Sequence, residues 1–402
     1  MRILFVSGRP LNLSKDSLVS NIANQFKKCG HDIYIMSPRE KGERGNLFVN
    51  ENGIQKVSFK SRPVQGVSNF KKAIAYQLVV IRYCYFLLRY FKDVDFDLVY
   101  SHSLPPELGF FYAFLKRRCR HAICFTFMTD FIVENLISLN FVGKDSFIAK
   151  YYKYCERMLF KYSDYLGCPS EGNKDFLKKN YNVSEEKLHL LYYTKEPLTF
   201  SEMNLQSYNG YNLSEYFTII YGGNIGIAQA PECLFDLAMS VREYEKILFM
   251  VVGRGFKFDN LKKKVKKYNL TNIVFVDFLP QNEYLNLLRS VNVGLVLLNP
   301  RLASPSFPSK TLAYFDLSLP ILAAIDHVTD YGKFLERIGA GEWAYSDDVS
   351  SLKLKLLQMY NEPEKLSLMG TKGHQFFMSH MLPEKAYLNL ISLLKNSMKC
   401  VE

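Results

Sequence analysis

The alternation of short apolar runs with helix-like segments constrains the fold of this chain more than any other feature. Residues 3–7 (ILFVS) form a continuous apolar run, as in a strand that is buried on both faces of a parallel sheet. Apolar residues then recur at helical spacing from Val19 to Phe26, Gly30 ends this helix, and residues 32–38 form a second apolar run. This strand–helix–strand unit predicts a doubly wound α/β domain.

The same alternation continues along the chain in two blocks. Periodicity is lost between about residues 182 and 215, where the composition turns polar, and a second series of strands begins at residue 217. We therefore predict two Rossmann-like domains, residues 1–205 and 206–382, and a C-terminal helix, residues 383–402, that packs back toward the first domain. The strands predicted from apolar runs are 97–102, 121–127 and 163–170 in the first block, and 217–223, 246–255, 272–280, 292–300 and 319–326 in the second.

Length, charge and cysteine content exclude several classes of protein. The chain has 402 residues, enough for two domains with separate cores, and no apolar run reaches the roughly 18–20 residues of a transmembrane helix. The N-terminal apolar run is too short for a secretory signal, so we expect a cytoplasmic protein. The eight cysteines form no CxxC pair, which predicts reduced thiols and no metal site. The net charge of +12 comes without a nucleic-acid-binding motif, so we expect no nucleic-acid partner.

Glycine- and proline-containing turns follow three predicted strands of the second block. They are Gly222-Gly223-Asn224, Gly253-Arg254-Gly255 and the Pro/Ser turn at 305–309. In open α/β sheets, ligands bind outside the carboxyl ends of the strands, where loops and helix N-termini meet. Three such turns in one domain predict a nucleotide or phosphate site.

Residues 304–322 (SPSFPSKTLAYFDLSLPIL) carry the clearest signal within these turns. Pro308 fits the first turn of a helix that begins near residue 307, because the N–H group that proline lacks is not needed there. The backbone N–H groups then left free are those of Ser309, Lys310 and Thr311. With the Lys310 ammonium and the helix dipole they predict an anion site. The alternative is that Ser309 only caps the helix and Lys310 lies in solvent.

These segments resemble glycosyltransferase family 4, retaining enzymes of the GT-B fold that use nucleotide sugars. The resemblance is to bacterial O-antigen and capsule enzymes, whose corresponding segment reads PSKTxEYMxxGKPVL. Residues 30–38 (GHDIYIMSP) resemble the family's GHxVxVxT, residues 219–229 (IIYGGNIGIAQ) its YSGNxGxAQ, and residues 249–255 (FMVVGRG) its VGxG. The tail YNEPEKLSLMGTKGHQFF matches the closing helix pair, so the resemblance covers nearly the whole chain.

The resemblance implies a GT-B architecture with the active site in a cleft between two Rossmann-like domains. It implies transfer of a sugar from a UDP or GDP sugar to a hydroxyl of a lipid-linked surface glycan, with retention of configuration and without a metal or other cofactor. The donor-binding residues that it implies are Gly223, Asn224, Arg254, Phe278, Ser309, Lys310, Thr311 and Asp316.

This sequence departs from the family pattern at two acidic positions. The family usually carries a Glu-x7-Glu pair whose second glutamate binds the donor ribose, and these positions are Pro305 and Ala313 here. Asp316, three residues further on, is the candidate substitute. Lys310 and Arg254 are the candidates for neutralising the diphosphate.

Three residues of the first block are catalytic candidates through the same resemblance. His102 follows a predicted strand, where related enzymes place a histidine that faces the donor sugar, and a structural role is the alternative. Asp130 and Glu134 lie where the O-antigen relatives carry an acidic segment near the acceptor. Their i, i+4 spacing is compatible with one helix face or turn, the alternative being a helix-start aspartate and a solvated glutamate.

Two basic stretches raise the question of a membrane surface. Residues 71–92 mix Lys and Arg with Tyr and Phe, and residues 261–268 (LKKKVKKY) form a basic run. A basic helix with aromatic residues binds anionic membranes, so we expect peripheral association with the inner face of the cytoplasmic membrane. The alternatives are a core helix for the first stretch and a solvated face for the second.

Two other functions remain open at this point. Ala313 in place of the ribose-binding acid favours a non-catalytic subunit that partners another glycosyltransferase. A nucleotide-sugar epimerase would need several more carboxylate and histidine side chains at its site. Titration with nucleotide diphosphates separates a scaffold, which binds none, from either enzyme.

Overall fold

The computed structural model divides the chain into two compact units. The first unit comprises Met1–Glu196 with the segment that begins at Leu382, and the second comprises Pro197–Met381. The predicted domain boundary after residue 205 lies outside the described residues, and the chain passes from one unit to the other between Glu196 and Pro197. The described residues are 1–39, 48–51, 53–62, 69–198, 207–208 and 210–399.

An eight-stranded sheet forms the centre of the first unit. The strand order is β3-β4-β2-β1-β5-β6-β7-β8, and all neighbours are parallel except the antiparallel pair β3 and β4. Ile3 to Val6 of the central strand β1 are completely buried, as the continuous apolar run predicts. The strands are β1 (Arg2–Val6), β2 (Asp32–Pro38), β3 (Phe48–Glu51), β4 (Ile54–Phe59), β5 (Leu98–His102), β6 (Ile123–Phe127), β7 (Tyr165–Cys168) and β8 (Leu188–Leu190).

Helices connect these strands, and one helix returns from the end of the chain. The helices are α1 (Leu18–Lys28), α2 (Asn69–Tyr90), α3 (Leu108–Lys116), α4 (Ile132–Ser138), α5 (Phe147–Tyr162), α6 (Glu171–Tyr181) and α14 (Pro383–Lys399). Helix α14 packs on α1, where the Tyr387 and Phe26 rings lie 5.0 Å apart. The Tyr387 hydroxyl also lies 3.0 Å from His31 Nε2. The C-terminal helix is therefore part of the first unit.

A six-stranded parallel sheet forms the centre of the second unit, in the order β13-β12-β11-β14-β15-β16. The strands of this sheet are β11 (Phe217–Asn224), β12 (Ile247–Arg254), β13 (Ile273–Val276), β14 (Val293–Leu297), β15 (Ile321–Ile325) and β16 (Gly341–Tyr345). Strands β9 (Ser207–Tyr208) and β10 (Tyr211–Asn212) form a separate short hairpin. The helices are α7 (Pro231–Ser240), α8 (Phe258–Lys267), α9 (Gln281–Arg289), α10 (Lys310–Asp316), α11 (Tyr331–Ile338), α12 (Val349–Asn361) and α13 (Pro363–His380).

One largely parallel and one fully parallel sheet, each with connecting helices, confirm the predicted α/β fold with two Rossmann-like domains. The apolar runs located the buried central strands, because such strands are apolar on both faces. The runs did not reveal β3, β4 or β8. Strand β4, for example, is only half-buried over Ile54–Lys56, so its sequence mixes polar and apolar residues.

Candidate functional site

Each sheet has one place where the order in which the chain adds strands reverses from one side of the sheet to the other. In the first unit the chain runs from β1 outward to β2 and then returns to β5 on the other side of β1. In the second unit it runs from β11 to β12 and β13 and then returns to β14. Helices and loops diverge at such points, so a crevice opens at the carboxyl ends of the central strands. The carboxyl ends of β1 and β5, and of β11 and β14, are therefore the places to search for ligand-binding residues.

His102 is the last residue of β5, at the reversal point of the first sheet. Its ring packs edge-on against Phe127, with the ring centres 5.5 Å apart. Burial, together with the nearby Arg9 guanidinium, lowers the pKa of His102 to about 4, so the imidazole is neutral at neutral pH. Its Nε2 atom is buried and has no hydrogen-bond partner in the described part of the chain. A neutral ring nitrogen without a partner is suited to one hydrogen bond with a bound ligand.

Arg9 is a site residue that the sequence analysis missed. It is exposed in the loop that follows β1, and its charge acts on both His102 and Asp130. The preceding Gly8 lies so close to Pro105 that a Cβ atom there would be 2.1 Å from the proline Cδ. The signal was present in the sequence, because Gly8 and Arg9 follow the first strand directly, as the glycine turns of the second unit follow theirs.

Asp130 and Glu134 do not share a helix face, which was one of the two arrangements that their spacing allowed. Helix α4 begins only at Ile132, so Asp130 lies in the segment before it. Asp130 reaches the surface, but loss of hydration raises its pKa to about 6, and the Arg9 charge acts in the opposite direction. Glu134 pairs with Lys153, whose Nζ lies 3.3 Å from its Oε1. Of the two carboxylates, Asp130 is thus the one that lies near Arg9, whose charge also acts on His102.

Glu107 is a second group that the sequence analysis missed. It lies at the start of α3, five residues after His102, and is completely buried. Its Oε1 accepts a hydrogen bond of 3.1 Å from the Tyr151 hydroxyl. Its Oε2 has no partner among the described residues, and burial raises its pKa to about 7. The sequence offered little signal, since a glutamate after two prolines normally indicates an exposed turn.

The predicted glycine turns lie side by side at the carboxyl ends of β11 and β12. Gly223 pairs in register with Gly253, and Asn224 with Arg254. Both glycines have positive φ, +123° and +134°. The Asn224 amide donates a hydrogen bond of 3.1 Å to Gln229 Oε1, which fixes the loop beyond β11. The exposed Gly223 backbone is therefore open to close approach by a ligand.

We expect Gly253→Ala to destabilise the second unit by about 3 kcal/mol or more. A Cβ atom at Gly253 would lie 2.1 Å from the Gly223 carbonyl oxygen. Gly30 is the matched control, because its φ is +82° and a Cβ atom there would meet nothing within 4 Å. Gly30→Ala should cost only about 1–2 kcal/mol, the penalty of the left-handed backbone. Urea unfolding measures both, and equal costs would show that close approach of the strands is unimportant.

Lys310 lies beside the Gly223 turn. Its Nζ is 3.6 Å from the position that a Cβ atom on Gly223 would occupy, and 4.7 Å from the centre of the Tyr221 ring. Loss of hydration lowers the pKa of Lys310 to about 8, and no carboxylate among the described residues offsets this shift. A dehydrated ammonium without an anionic partner favours binding of an anion at this point.

The helix that carries Lys310 begins later than predicted. Helix α10 starts at Lys310 itself and has seven residues, with Ser309 before it. The Thr311 N–H donates to the Pro308 carbonyl over 3.2 Å, so the prediction of a free N–H at Thr311 is wrong. The Thr311 hydroxyl lies 2.7 Å from the buried Tyr331 hydroxyl. An anion bound here would therefore contact the Lys310 ammonium more than the helix terminus.

Arg254 and Phe278 form an exposed pair at the same end of the sheet. The Arg254 guanidinium lies 4.9 Å from the centre of the Phe278 ring, and 64% of Phe278 is exposed. Arg254 ends β12, and Phe278 follows the neighbouring strand β13. An exposed ring with a cation stacked on it provides both a flat apolar surface and positive charge.

The structure does not bring Asp316 to this group. Asp316 is the last residue of α10, and its Oδ2 accepts a hydrogen bond of 3.2 Å from the Leu198 N–H. Seven helical residues span roughly 10 Å, so its carboxylate is directed to the opposite end of the helix from Lys310. Lys310 lies beside Gly223, and Arg254, which stacks on Phe278, pairs in register with the adjacent Asn224. The sequence analysis overlooked Tyr221, whose ring centre lies 4.7 Å from the Lys310 Nζ.

The described residues contain no group of three or more His, Cys, Asp and Glu side chains that could hold a metal ion. In the same part of the chain, every helix is too short or too polar to cross a membrane.

Comparison with known proteins agrees with this geometry. The sequence model of Glycosyltransferase Family 4 matches residues 17–193. A chitobiosyldiphosphodolichol beta-mannosyltransferase of Debaryomyces hansenii is 21% identical over 263 residues, which cover 59% of this chain and 54% of that protein. The chain thus spans about half the length of this curated relative.

Solved structures resemble the whole chain. Sucrose-phosphate synthase from Thermosynechococcus elongatus superimposes with a TM-score of 0.72 at 12% identity, covering 100% of both chains. Anabaena HepE in complex with UDP has a TM-score of 0.68 at 11% identity, covering 98% of this chain and 100% of its own. At these identities the similarity shows the fold. The whole chain thus shares the GT-B fold, and residues 17–193 match the sequence model of Glycosyltransferase Family 4.

Proposed function

We propose that this protein transfers a sugar from a UDP or GDP sugar to a hydroxyl group of a lipid-linked glycan. The observation that carries the proposal is the dehydrated Lys310 ammonium beside the exposed Gly223 turn. A nucleoside diphosphate supplies the anion that this lysine lacks. The solved structure of HepE contains UDP, which supports a nucleotide of this kind. The name of the D. hansenii relative specifies a dolichol-linked acceptor, which supports the lipid-linked substrate.

In the proposed reaction, the bond between the sugar C1 and the diphosphate oxygen breaks, and a bond from C1 to the acceptor oxygen forms. Negative charge develops on the departing diphosphate, and Lys310 and Arg254 stabilise it. These two cations would take the role that a metal ion plays elsewhere, so we propose a metal-independent enzyme. Retention of configuration is carried over from the resemblance of the motifs.

His102 and Asp130 have distinct roles in this proposal. The neutral imidazole of His102 offers its unpartnered Nε2 to a hydroxyl of the donor sugar. Asp130, with its pKa raised to about 6, is ionised at neutral pH and can accept the proton of the acceptor hydroxyl. Glu134 is held by Lys153 and would contribute through the acceptor segment as a whole.

Calorimetric titration of the whole protein with UDP, GDP and ADP tests the proposal. We expect UDP or GDP to bind with a dissociation constant between about 1 μM and 1 mM, the usual range for enzyme substrates. ADP serves as the control for unspecific diphosphate binding. If neither UDP nor GDP binds, the chain is a non-catalytic member of the fold, the alternative that Ala313 favours.

A further inference from the structure

Helix α2 exposes a line of large apolar side chains. Their exposed fractions range from 38% to 62%. The five are Phe70, Ile74, Ile81, Tyr85 and Leu88. At about 100° per residue, all five fall within an arc of about 60° and extend roughly 27 Å along the helix. We call this line the α2 stripe.

The α2 stripe faces away from the core. The buried residues Val79, Tyr83 and Leu87 of the same helix pack into the core of the first unit. Their positions lie roughly opposite the stripe on the helical circumference. Residues 71–92 were predicted to form either a membrane-surface helix or a core helix, and α2 has a buried side and an exposed side. One side completes the fold, and the described residues of this unit leave the other side exposed.

Positive charge borders the α2 stripe. Lys71, Arg82 and Arg89 are exposed and lie together on one flank, at about 100–120° from Phe70. Arg82 donates a hydrogen bond to the Lys60 carbonyl and lies 5.3 Å from the centre of the Phe59 ring, which fixes its side chain. The sequence of α2 contains neither aspartate nor glutamate.

We propose that α2 docks this protein on an anionic lipid surface. The α2 stripe would enter the interface between headgroups and acyl chains, and the flanking cations would contact lipid phosphates. This combination of an apolar line with cations and no acid is complementary to such a surface. The proposal extends the proposed function, since a lipid-linked acceptor is reached at a membrane, but docking itself does not depend on sugar transfer.

The same charges argue against a second copy of the chain as the occupant. In a symmetric dimer each surface patch meets its own image, so the three cations of one α2 would face those of the other. Juxtaposed like charges oppose association. A lipid surface offers anions along the whole length of the helix.

Co-sedimentation with vesicles tests the docking. We expect binding to phosphatidylcholine vesicles with about 30% phosphatidylglycerol, and weaker binding to pure phosphatidylcholine. The double variant Ile81→Glu/Tyr85→Glu should reduce binding about tenfold or more, since it places two charges in the apolar line. Both positions are exposed, so folding should be preserved. Lys71→Gln/Arg89→Gln should weaken binding to the anionic vesicles only, and most clearly at low salt.

Leu354→Glu is the matched control. Leu354 lies on α12 of the second unit with 64% of its surface exposed, and its replacement should leave vesicle binding unchanged. Equal binding of wild type and Ile81→Glu/Tyr85→Glu, or no binding of the wild type, would overturn the proposal. So would a wild-type dimer, detected by light scattering, that this double variant dissociates. UDP titration of each variant separates the two proposals, because docking without nucleotide binding contradicts only the proposed function.

Discussion

The variant His102→Ala should turn over its donor about 100-fold more slowly than the wild type, with unchanged affinity for the nucleotide diphosphate. In the proposed function, the Nε2 atom that lacks a protein partner bonds a hydroxyl of the donor sugar. Removing the ring therefore removes a contact to the reacting sugar and not to the nucleotide. Release of nucleotide diphosphate from the donor sugar measures turnover, and calorimetry measures the affinity.

His189→Ala supplies the control for the loss of a histidine ring in the same unit. His189 lies in β8, and its Nε2 is 3.1 Å from the Glu186 carbonyl oxygen, so this ring already has a partner. Its replacement should leave turnover within about twofold of the wild type. Wild-type turnover in His102→Ala would assign His102 to packing against Phe127 alone.

The pH profile of turnover distinguishes His102 from Asp130. The pKa of His102 is lowered to about 4, so its ring stays neutral between pH 5 and 8 and adds no titration there. The pKa of Asp130 is raised to about 6, so turnover should fall as the pH drops through about 6 and this carboxylate is protonated. Asp130→Asn should be slow at every pH and should lack this acidic limb. An unchanged limb in Asp130→Asn would assign the titration to another group.

Lys310→Met should lower the affinity for UDP or GDP by roughly 1.5–3 kcal/mol, about 10- to 150-fold, the range of a charge-assisted contact. It should also raise the free energy of unfolding at neutral pH. Because the pKa of Lys310 is lowered to about 8 in the folded protein, its charged form costs stability below that pH. The cost fades as the pH rises from about 8 toward the unfolded value of about 10.4. Calorimetry and urea unfolding give the two quantities.

Lys333→Met is the matched control, because Lys333 is an exposed lysine of α11 in the same unit. It should change neither quantity by more than about 0.5 kcal/mol. In the wild type, nucleotide affinity should fall as the pH rises through about 8 and Lys310 loses its proton. Affinity unchanged in Lys310→Met would place the diphosphate elsewhere.

The sequence predicted those features that depend on neighbouring residues. Buried parallel strands are apolar throughout, so β1, β2, β11 and β12 were visible as runs. Glycines directly after strands located the turns that lie beside Lys310. The fold class and the turns beside Lys310 were therefore predictable from the sequence alone.

Features that depend on distant parts of the chain were not predictable in this way. The Asp316 carboxylate is occupied by the Leu198 N–H, a partner 118 residues away. Helix α10 starts at Lys310, and the Thr311 N–H donates a hydrogen bond to the Pro308 carbonyl. This bond takes up an N–H group that the sequence analysis predicted to be free. The charge of Arg9 acts on His102 only because β1 and β5 are neighbours in the sheet.

The packing of α14 on α1 has a consequence for the order in which the protein is made. Phe26 and His31 meet Tyr387 only after the whole second unit has left the ribosome. At 5–20 residues per second, translation of the intervening stretch takes roughly 10–40 s. During that interval the nascent first unit exposes the apolar surface that α14 later covers. Premature termination before residue 383 would leave that surface permanently bare and make the product a substrate for chaperones and proteases.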